Sequence, residues 1–348
     1  MLRTLLTYLV VWPYSLVLWL RHKLYDWGFL KSVTVEIPTI SIGNITVGGT
    51  GKTPHTELIL RLFSQDIPMA VLSGGYKRKS RGFRYVETTD SVMDVGDEPL
   101  QIKRKFPDSV VAVDANRIAG IYQIQKDHPQ VKMIVLDDAF QYRRLKPTYS
   151  ILLSDYNRPY TKDCLLPFGT LRDLPSQAKR ADMIIVTKTP PDCSSEEREN
   201  QQKIHQPKQN QQLLLSSYTY CDPCPLFPEK TPNTIKPTGN QIIALTGIAQ
   251  PKPFLDHLRQ VGEWIQHLKF PDHHNFTKRD VLKINQTMSQ HPRAKIFTTE
   301  KDAVRLMNTS CLSPEVMGAI YSVPVQAKIC EDQTLIDVVK KNCFYYNN

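Results

Sequence analysis

The side chains best suited to chemistry come as a contiguous set, Gly48-Gly49-Thr50-Gly51-Lys52-Thr53. Glycines let the backbone curl until successive N–H groups face one anion, and the start of a following helix adds its positive end. Lys52 would then reach the outer phosphates of a nucleotide, and Thr53 would offer a hydroxyl to Mg²⁺. In the usual G-x-x-x-x-G-K-[ST] pattern the first glycine falls on Thr46, so one residue type departs from it. The context favours a phosphate loop over a glycine-rich turn that binds nothing. An apolar run at 38–45 precedes it, and apolar residues at helical spacing follow at 55–63. Such a loop requires a carboxylate delivered by a parallel strand, and the mostly apolar run at 131–136 ends in Asp137-Asp138.

Other candidates keep two readings. Asp97, before Glu98-Pro99, has the form of a helix cap. Lys77-Arg78-Lys79-Ser80-Arg81 is a basic loop suited to an anionic head group or simply to solvent. Asp272-His273-His274 fits a metal cluster or a capping turn as well as a catalytic role. The seven cysteines are odd in number and scattered. Cys221 and Cys224 form a lone C-x-x-C with no second pair to complete a zinc site, as expected of free thiols in a reducing compartment.

The elements that must position these groups follow from the apolar pattern. A chain of 348 residues has room for about two domains of ~150 residues each. Short apolar strands alternating with helices predict an α/β fold, a P-loop NTPase-like, mostly parallel sheet with helices on both faces. Pro223, Pro225, Pro228, Pro232 and Pro237 then crowd a linker, after which Gln241-Ile242-Ile243-Ala244-Leu245-Thr246-Gly247 restarts the strand-turn-helix pattern of a smaller α/β lobe. Segments 213–220 and 321–329 alternate in polarity and flank that lobe, so they are expected to run side by side as a strand-pair linker that permits hinge closure. The expected division is a membrane-associating segment at 1–30, a core at 31–220, a Pro-rich linker at 221–240, the smaller lobe at 241–320, and a return strand with a C-terminal helix at 321–348.

Net charge +10 implies an anionic partner, whether nucleic acid, a membrane surface or a phosphorylated substrate. The N-terminus points to the membrane. Residues 5–20 are almost wholly apolar, contain Trp12, Tyr14 and Trp19, and are bracketed by Arg3 and Arg21-His22-Lys23. The run is shorter than the ~20 residues a spanning helix needs, and Pro13 interrupts it. With no small-x-small cleavage site after it, a retained interfacial anchor fits better than a signal peptide, and the basic flanks favour the cytoplasmic face.

Six stretches together resemble the tetraacyldisaccharide 4′-kinase family, the lipid A 4′-kinases. They are Gly43-Asn44-Ile45-Thr46-Val47-Gly48-Gly49-Thr50-Gly51-Lys52-Thr53-Pro54, Val95-Gly96-Asp97-Glu98-Pro99, Asp137-Asp138-Ala139-Phe140-Gln141-Tyr142-Arg143-Arg144-Leu145, Leu165-Leu166-Pro167-Phe168-Gly169-Thr170-Leu171-Arg172, Phe270-Pro271-Asp272-His273-His274 and Thr298-Thr299-Glu300-Lys301-Asp302-Ala303-Val304. The resemblance spans nearly the whole chain and accounts for Thr46, since that family's loop is similar to T-V-G-G-[TS]-G-K-T. It implies transfer of the γ-phosphate of ATP to the 4′-hydroxyl of a tetraacylated glucosamine disaccharide 1-phosphate, a lipid A precursor. The setting it implies is the cytoplasmic face of the inner membrane, peripheral or monotopic, in a Gram-negative cell.

Carried over by residue, the resemblance gives Gly48, Gly49, Thr50, Gly51, Lys52 and Thr53 to the nucleotide, and Thr53, Asp137 and Asp138 to Mg²⁺. Lys52 also takes part in catalysis, Asp97 is the base for the sugar hydroxyl, and His273 is its partner. Tyr76, Arg117 and Arg172 fall on the substrate side. This chain departs from the family at Tyr142, usually His, at Ala139, usually Gly, and at Asp173, usually Glu. A membrane-associated P-loop ATPase or GTPase of the partitioning or metal-chaperone type is the alternative, but its loop often has Lys where Val47 stands. A non-catalytic membrane module would have no need of Lys52, Thr53, Asp97 and Asp137 together. Nucleic acid is not an expected partner, because aromatics do not interleave with the basic cluster.

Overall fold

The structure, a computed structural model, describes residues 2–231, 239–307, 309, 311–329 and 332–344. In chain order its strands are β1 (Thr39–Gly43), β2 (Met69–Ser73), β3 (Arg84–Tyr85), β4 (Val110–Val113), β5 (Met133–Asp137), β6 (Tyr149–Asp155), β7 (Met183–Thr187), β8 (Gln212–Tyr220), β9 (Cys224–Pro225), β10 (Gln241–Thr246), β11 (Glu263–Lys269), β12 (Lys295–Thr299), β13 (Ile320–Val323) and β14 (Val325–Ile329). The larger sheet has nine strands in the order β14-β8-β7-β6-β1-β5-β2-β4-β3. Its pairs are parallel except at the two edges, where β14 lies antiparallel to β8 and β3 to β4. Every residue of β1, β2, β5, β6 and β7 is buried, as in strands covered on both faces, and the few polar ones, such as Thr39 and Ser41 of β1, are buried with the rest.

The site follows from this order. β1 lies between β5 and β6, and the chain leaving β1 crosses to β2 on the far side of β5. That reversal opens a crevice at the carboxyl ends of the strands, where ligands of open α/β sheets bind. The register Ile42↔Asp137 sets the end of β1 beside the acidic end of β5.

The second sheet runs β11-β10-β12-β13-β9, with β9 antiparallel at its edge. It has its own core, including Leu245, Phe270, Ile284, Ile296, Leu306 and Ile320. β8 and β14 join the lobes as an antiparallel pair running from Tyr220↔Val325 to Ser216↔Ile329. The return strand begins later than the alternation at 321–329 predicts, because Tyr321 belongs to β13 and pairs with Phe297. Pro324 sits at the change of sheet. It has no N–H to give a ladder, and its carbonyl accepts from Cys221 N at 2.9 Å. The Pro-rich stretch is also more than a tether. Pro225 lies in an edge strand, where proline is tolerated, and Thr231 Oγ1 donates to Met317 O at 3.2 Å. Pro232 and Pro237 lie outside the described residues.

The N-terminal segment is a single helix, Leu2–Asp26, which continues through Pro13 where a break is expected from sequence. One face packs on the core, with Leu18 and Tyr14 against Ile45, Phe140, Leu165 and Leu171. His22 Nε2 to Asp173 at 2.6 Å, Arg143 to Asp26 at 2.9 Å and the Tyr14 hydroxyl to Arg172 O at 3.1 Å fix it there. The other face leaves Trp12, Leu16, Val17, Trp19 and Leu20 exposed, Trp12 by 65 %. Among the described residues no helix is long and apolar enough to cross a membrane.

Candidate active site

The glycine-rich turn leaves β1 and enters the helix Lys52–Phe63. Gly48 and Gly51 have φ of +100° and +92°, and a Cβ on Gly51 would lie 1.7 Å from the Tyr218 hydroxyl, so a side chain at Gly51 is excluded on both counts. Lys52 Nζ stands 3.7 Å from Asp138, whose carboxylate also holds the Arg172 guanidinium. Arg172 reaches back to Asn44 Oδ1 at 2.6 Å, and Asn44 in turn bonds Thr50. The side chain of Arg172 therefore stands with the phosphate loop.

The two neighbouring acids are pushed in opposite directions. Burial pushes the Asp137 carboxyl up to about 7, and the charges of Glu98 and Asp138 push the same way. Burial also opposes ionisation of Asp138, but Lys52 and Arg172 outweigh it and hold that carboxyl below its usual range. Asp137 accepts from Ser73 Oγ at 3.2 Å and Thr56 Oγ1 at 3.4 Å. The Thr53 hydroxyl is buried with no hydrogen-bond partner. An orphaned hydroxyl at the start of the helix and a buried carboxylate at the end of β5 are oxygen ligands of the kind a hard cation takes. Among the described residues no group of three or more His, Cys, Asp or Glu gathers as a metal cage. The remaining positions around such a cation would fall to phosphate oxygens and water, as Mg²⁺ prefers.

Across the cleft, the helix Asp97–Lys105 starts at Asp97 itself, with Gly96 as N-cap and no side-chain cap bond. The capping role that sequence allows for Asp97 is therefore not the one its carboxylate plays. It meets the second lobe: Oδ2 faces His273 Nδ1 at 3.0 Å and pairs with Arg305, while Oδ1 accepts from Glu98 N at 3.0 Å. Beside it Lys301 Nζ donates to Glu98 at 2.5 Å. Burial works against the Asp97 charge, but the hydrogen bond from His273 and the charges of Lys301 and Arg305 overwhelm it and hold the carboxyl far below the usual range. His273 takes a left-handed backbone, φ +56°, and its N–H is tied to Gly247 O at 3.1 Å.

Within Asp272-His273-His274, Asp272 Oδ2 stays 3.9 Å from His273 Nε2 while the two histidines part. His274 bonds Asp280 at 2.9 Å, next to the capping box of the helix Lys278–Gln290, and only His273 faces the cleft. Tyr76 is exposed, with its ring 5.9 Å edge-on from that of His273. Arg117 is buried under Gly74, donating to Asp114 O at 2.7 Å and lying 5.8 Å from the centre of the Tyr142 ring. Tyr142 reaches Asn116 Oδ1 at 3.2 Å. Glu98 and Lys301 each lie in a stretch that carries the family resemblance, but nothing in the sequence pairs them, and Arg305 lies outside those stretches. The one signal for Arg305 is an arginine inside a short helix whose other residues are mostly buried.

The profile of the family described as tetraacyldisaccharide-1-P 4′-kinase (LpxK) matches residues 3–343. The chain is 42 % identical over 347 residues to a tetraacyldisaccharide 4′-kinase of Phocaeicola vulgatus, covering 96 % of this chain and 95 % of that protein. It is 38 % identical to the protein of the same name from Flavobacterium johnsoniae, covering 93 % of this chain and 92 % of that protein. A crystal structure of LpxK from Aquifex aeolicus in complex with ATP superimposes with a TM-score of 0.74 at 24 % identity, over 99 % of this chain and 100 % of that one, which speaks for the fold. By the extent and level of these matches, with the phosphate loop and Asp97 on the larger lobe and His273 and Arg305 brought to Asp97 by the smaller, this chain belongs to the tetraacyldisaccharide 4′-kinase family.

Proposed function

We propose that the protein transfers the γ-phosphate of ATP to the 4′-hydroxyl of a tetraacylated glucosamine disaccharide 1-phosphate, the phosphorylation its family performs in lipid A synthesis, with Mg²⁺ as cofactor. The observation that carries this reading is the confrontation of Lys52, Thr53 and Asp137 on one lobe with an Asp97–His273 pair completed by the other. The backbone N–H groups from Gly48 to Lys52 cradle the phosphates, and Lys52 takes the charge of the γ-group. Thr53 and Asp137 would hold Mg²⁺, while Asp138, engaged by Lys52 and Arg172, steers Lys52. Bound there, Mg²⁺ would neutralise phosphate charge.

The acceptor oxygen attacks the γ-phosphorus, the bond to the β-phosphate oxygen breaks, and ADP leaves with the electron pair. The hydroxyl proton passes to Asp97, with His273 sharing the load. A carboxylate so firmly held is a weak base, yet a loose phosphoryl transition state asks for little proton transfer before the bond to the leaving group has stretched. Tyr76, exposed beside His273, lines the acceptor side. Arg117 holds the Gly74-Gly75 turn that presents Tyr76.

The exposed apolar face of the N-terminal helix, with Trp12 and Trp19 on it and Arg21 and Lys23 at its end, lies in the membrane interface on the cytoplasmic side and brings the active site to an acceptor that does not leave the bilayer. The test is purified protein with ATP, Mg²⁺ and the disaccharide 1-phosphate in mixed micelles. Formation of the bisphosphate with matching ADP release supports the reading. ATP hydrolysis indifferent to the acceptor would replace it with an ATPase.

A further inference from the structure

Glu57 is fully buried on the phosphate-loop helix, five positions beyond Lys52. A carboxylate in such a place persists only where it is paired. Its Oε1 accepts from Gln101 Nε2 at 2.9 Å and its Oε2 from Lys105 Nζ at 2.7 Å, both on the helix that begins with Asp97. The same ammonium reaches Glu300 Oε1 of the second lobe at 2.7 Å. Glu300 is the first residue of the helix that carries Lys301 and Arg305, and its Oε2 accepts from Val325 N at 3.1 Å, where the return strand begins. One cation thus joins the phosphate-loop helix, the Asp97 helix, the second lobe and the strand-pair connection.

We propose that Lys105 is a positioning residue for phosphoryl transfer: by clamping Glu57 to Glu300 it fixes the closed arrangement of the two lobes in which Asp97 is aligned with the phosphate loop. The inference rests on the kinase reading of the cleft. The Asp97 helix is held to the second lobe at its start by Lys301 and Arg305 and at its end by Lys105, and among the described residues Lys105 and Gln101 are its polar side-chain ties to the phosphate-loop helix. Burial and the nearby Glu300 charge both push the Glu57 carboxyl up, to about 7, with Lys105 pulling the other way. Without the ammonium the buried Glu57 takes up a proton rather than standing as a charge beside Glu300, and the joint between the two helices and the second lobe is lost. An ammonium has three donors free to swivel between two acceptors, so its task is the joining itself.

The test compares wild type with Lys105→Met, Lys105→Arg, Glu300→Gln and the Lys105→Met/Glu300→Gln pair, measuring kcat and the KM for ATP with the lipid acceptor saturating. Lys105→Met is expected to lower kcat about tenfold or more, since small misplacements of catalytic groups cost at least that, while KM for ATP moves less than about threefold. Lys105→Arg should regain most of the loss. The double variant should be no slower than Lys105→Met alone, because both changes break one clamp. A folded Lys105→Met with wild-type kcat, or losses that multiply in the double variant, would overturn the proposal. Should Lys105→Met fail to fold, Glu300→Gln decides: a lowered kcat at constant KM supports the clamp and an unchanged kcat ends it. Absence of transfer by the wild type would instead remove the kinase reading itself.

Discussion

The two halves of the cleft are built in different ways. The nucleotide half comes from one lobe and from short contiguous stretches, the turn after β1 and the end of β5, which register brings side by side. The Asp97 half comes from two lobes: Asp97 meets His273 from 176 positions away and Arg305 from 208. A phosphate loop is a property of a few consecutive residues, whereas the Asp97 cluster exists only when the lobes are docked. Damage to the first should abolish chemistry with the lobes still together. Damage to the second should slow chemistry and loosen the lobes.

The sharpest break of this contrast is Lys52→Ala, expected to lower transfer by about 10³-fold or more because it removes charge stabilisation at the migrating phosphoryl group. Its thermal stability should stay near wild type, since Lys52 makes no core contact. Full activity in this variant would end the nucleotide-site assignment. Next come Asp97→Asn and His273→Ala, each expected to reduce kcat by ~10²-fold with the double variant little worse than the worse single, as for groups acting together. Nucleotide affinity, followed by calorimetry, should hardly change. Multiplicative losses would show that the two do not act as a pair.

A smaller effect is read in acid. The folded Asp97 carboxyl lies far below the ~3.9 of an unfolded Asp, so its stabilisation of the lobe contact is complete above about pH 4 and fades as the pH falls further. The gap in melting temperature between wild type and Asp97→Asn should therefore be widest near neutrality and narrow from pH 4 to pH 2. A gap independent of pH would mean the carboxylate charge is not what holds the lobes. The smallest effect belongs to Thr277→Ala, which removes the capping box just past His273. About 1 kcal/mol of stability should go, with kcat unaltered, because this cap serves one lobe alone. A fall in kcat to match would show that the second lobe transmits local strain to His273.

The same division separates what is legible in the sequence from what is not. The phosphate loop, the acidic strand end and the parallel sheet can be read because each is carried by neighbours in the chain, through glycines, apolar runs and turn residues. The family resemblance extends this to the Asp97 and His273 stretches. Arg305 has no such signature, since a buried arginine in a short helix looks the same whether it braces its own turn or a carboxylate in another lobe. Lys105 is one of three consecutive basic residues at a helix end, and nothing in that run tells which faces inward. The start of the return strand at Val325 depends on where Pro324 forces the ladder to change sheets, which polarity alternation cannot locate.

Arg172 joins two parts of the molecule that no element connects. Its backbone oxygen accepts from Tyr14 on the N-terminal helix, its backbone N–H donates to Ile45 O, and its guanidinium grips Asn44 and Asp138. Tyr14 and Leu18 press the same loop from the side opposite the exposed tryptophans. On the membrane placement proposed for that helix, the bonds of Arg172, together with the His22–Asp173 and Arg143–Asp26 contacts, would set the height of the transferable phosphoryl group above the lipid surface. The enzyme would then work at a fixed elevation, like a tool on a rail, and an acceptor sugar drifting laterally in the leaflet would meet it without having to be lifted from the bilayer.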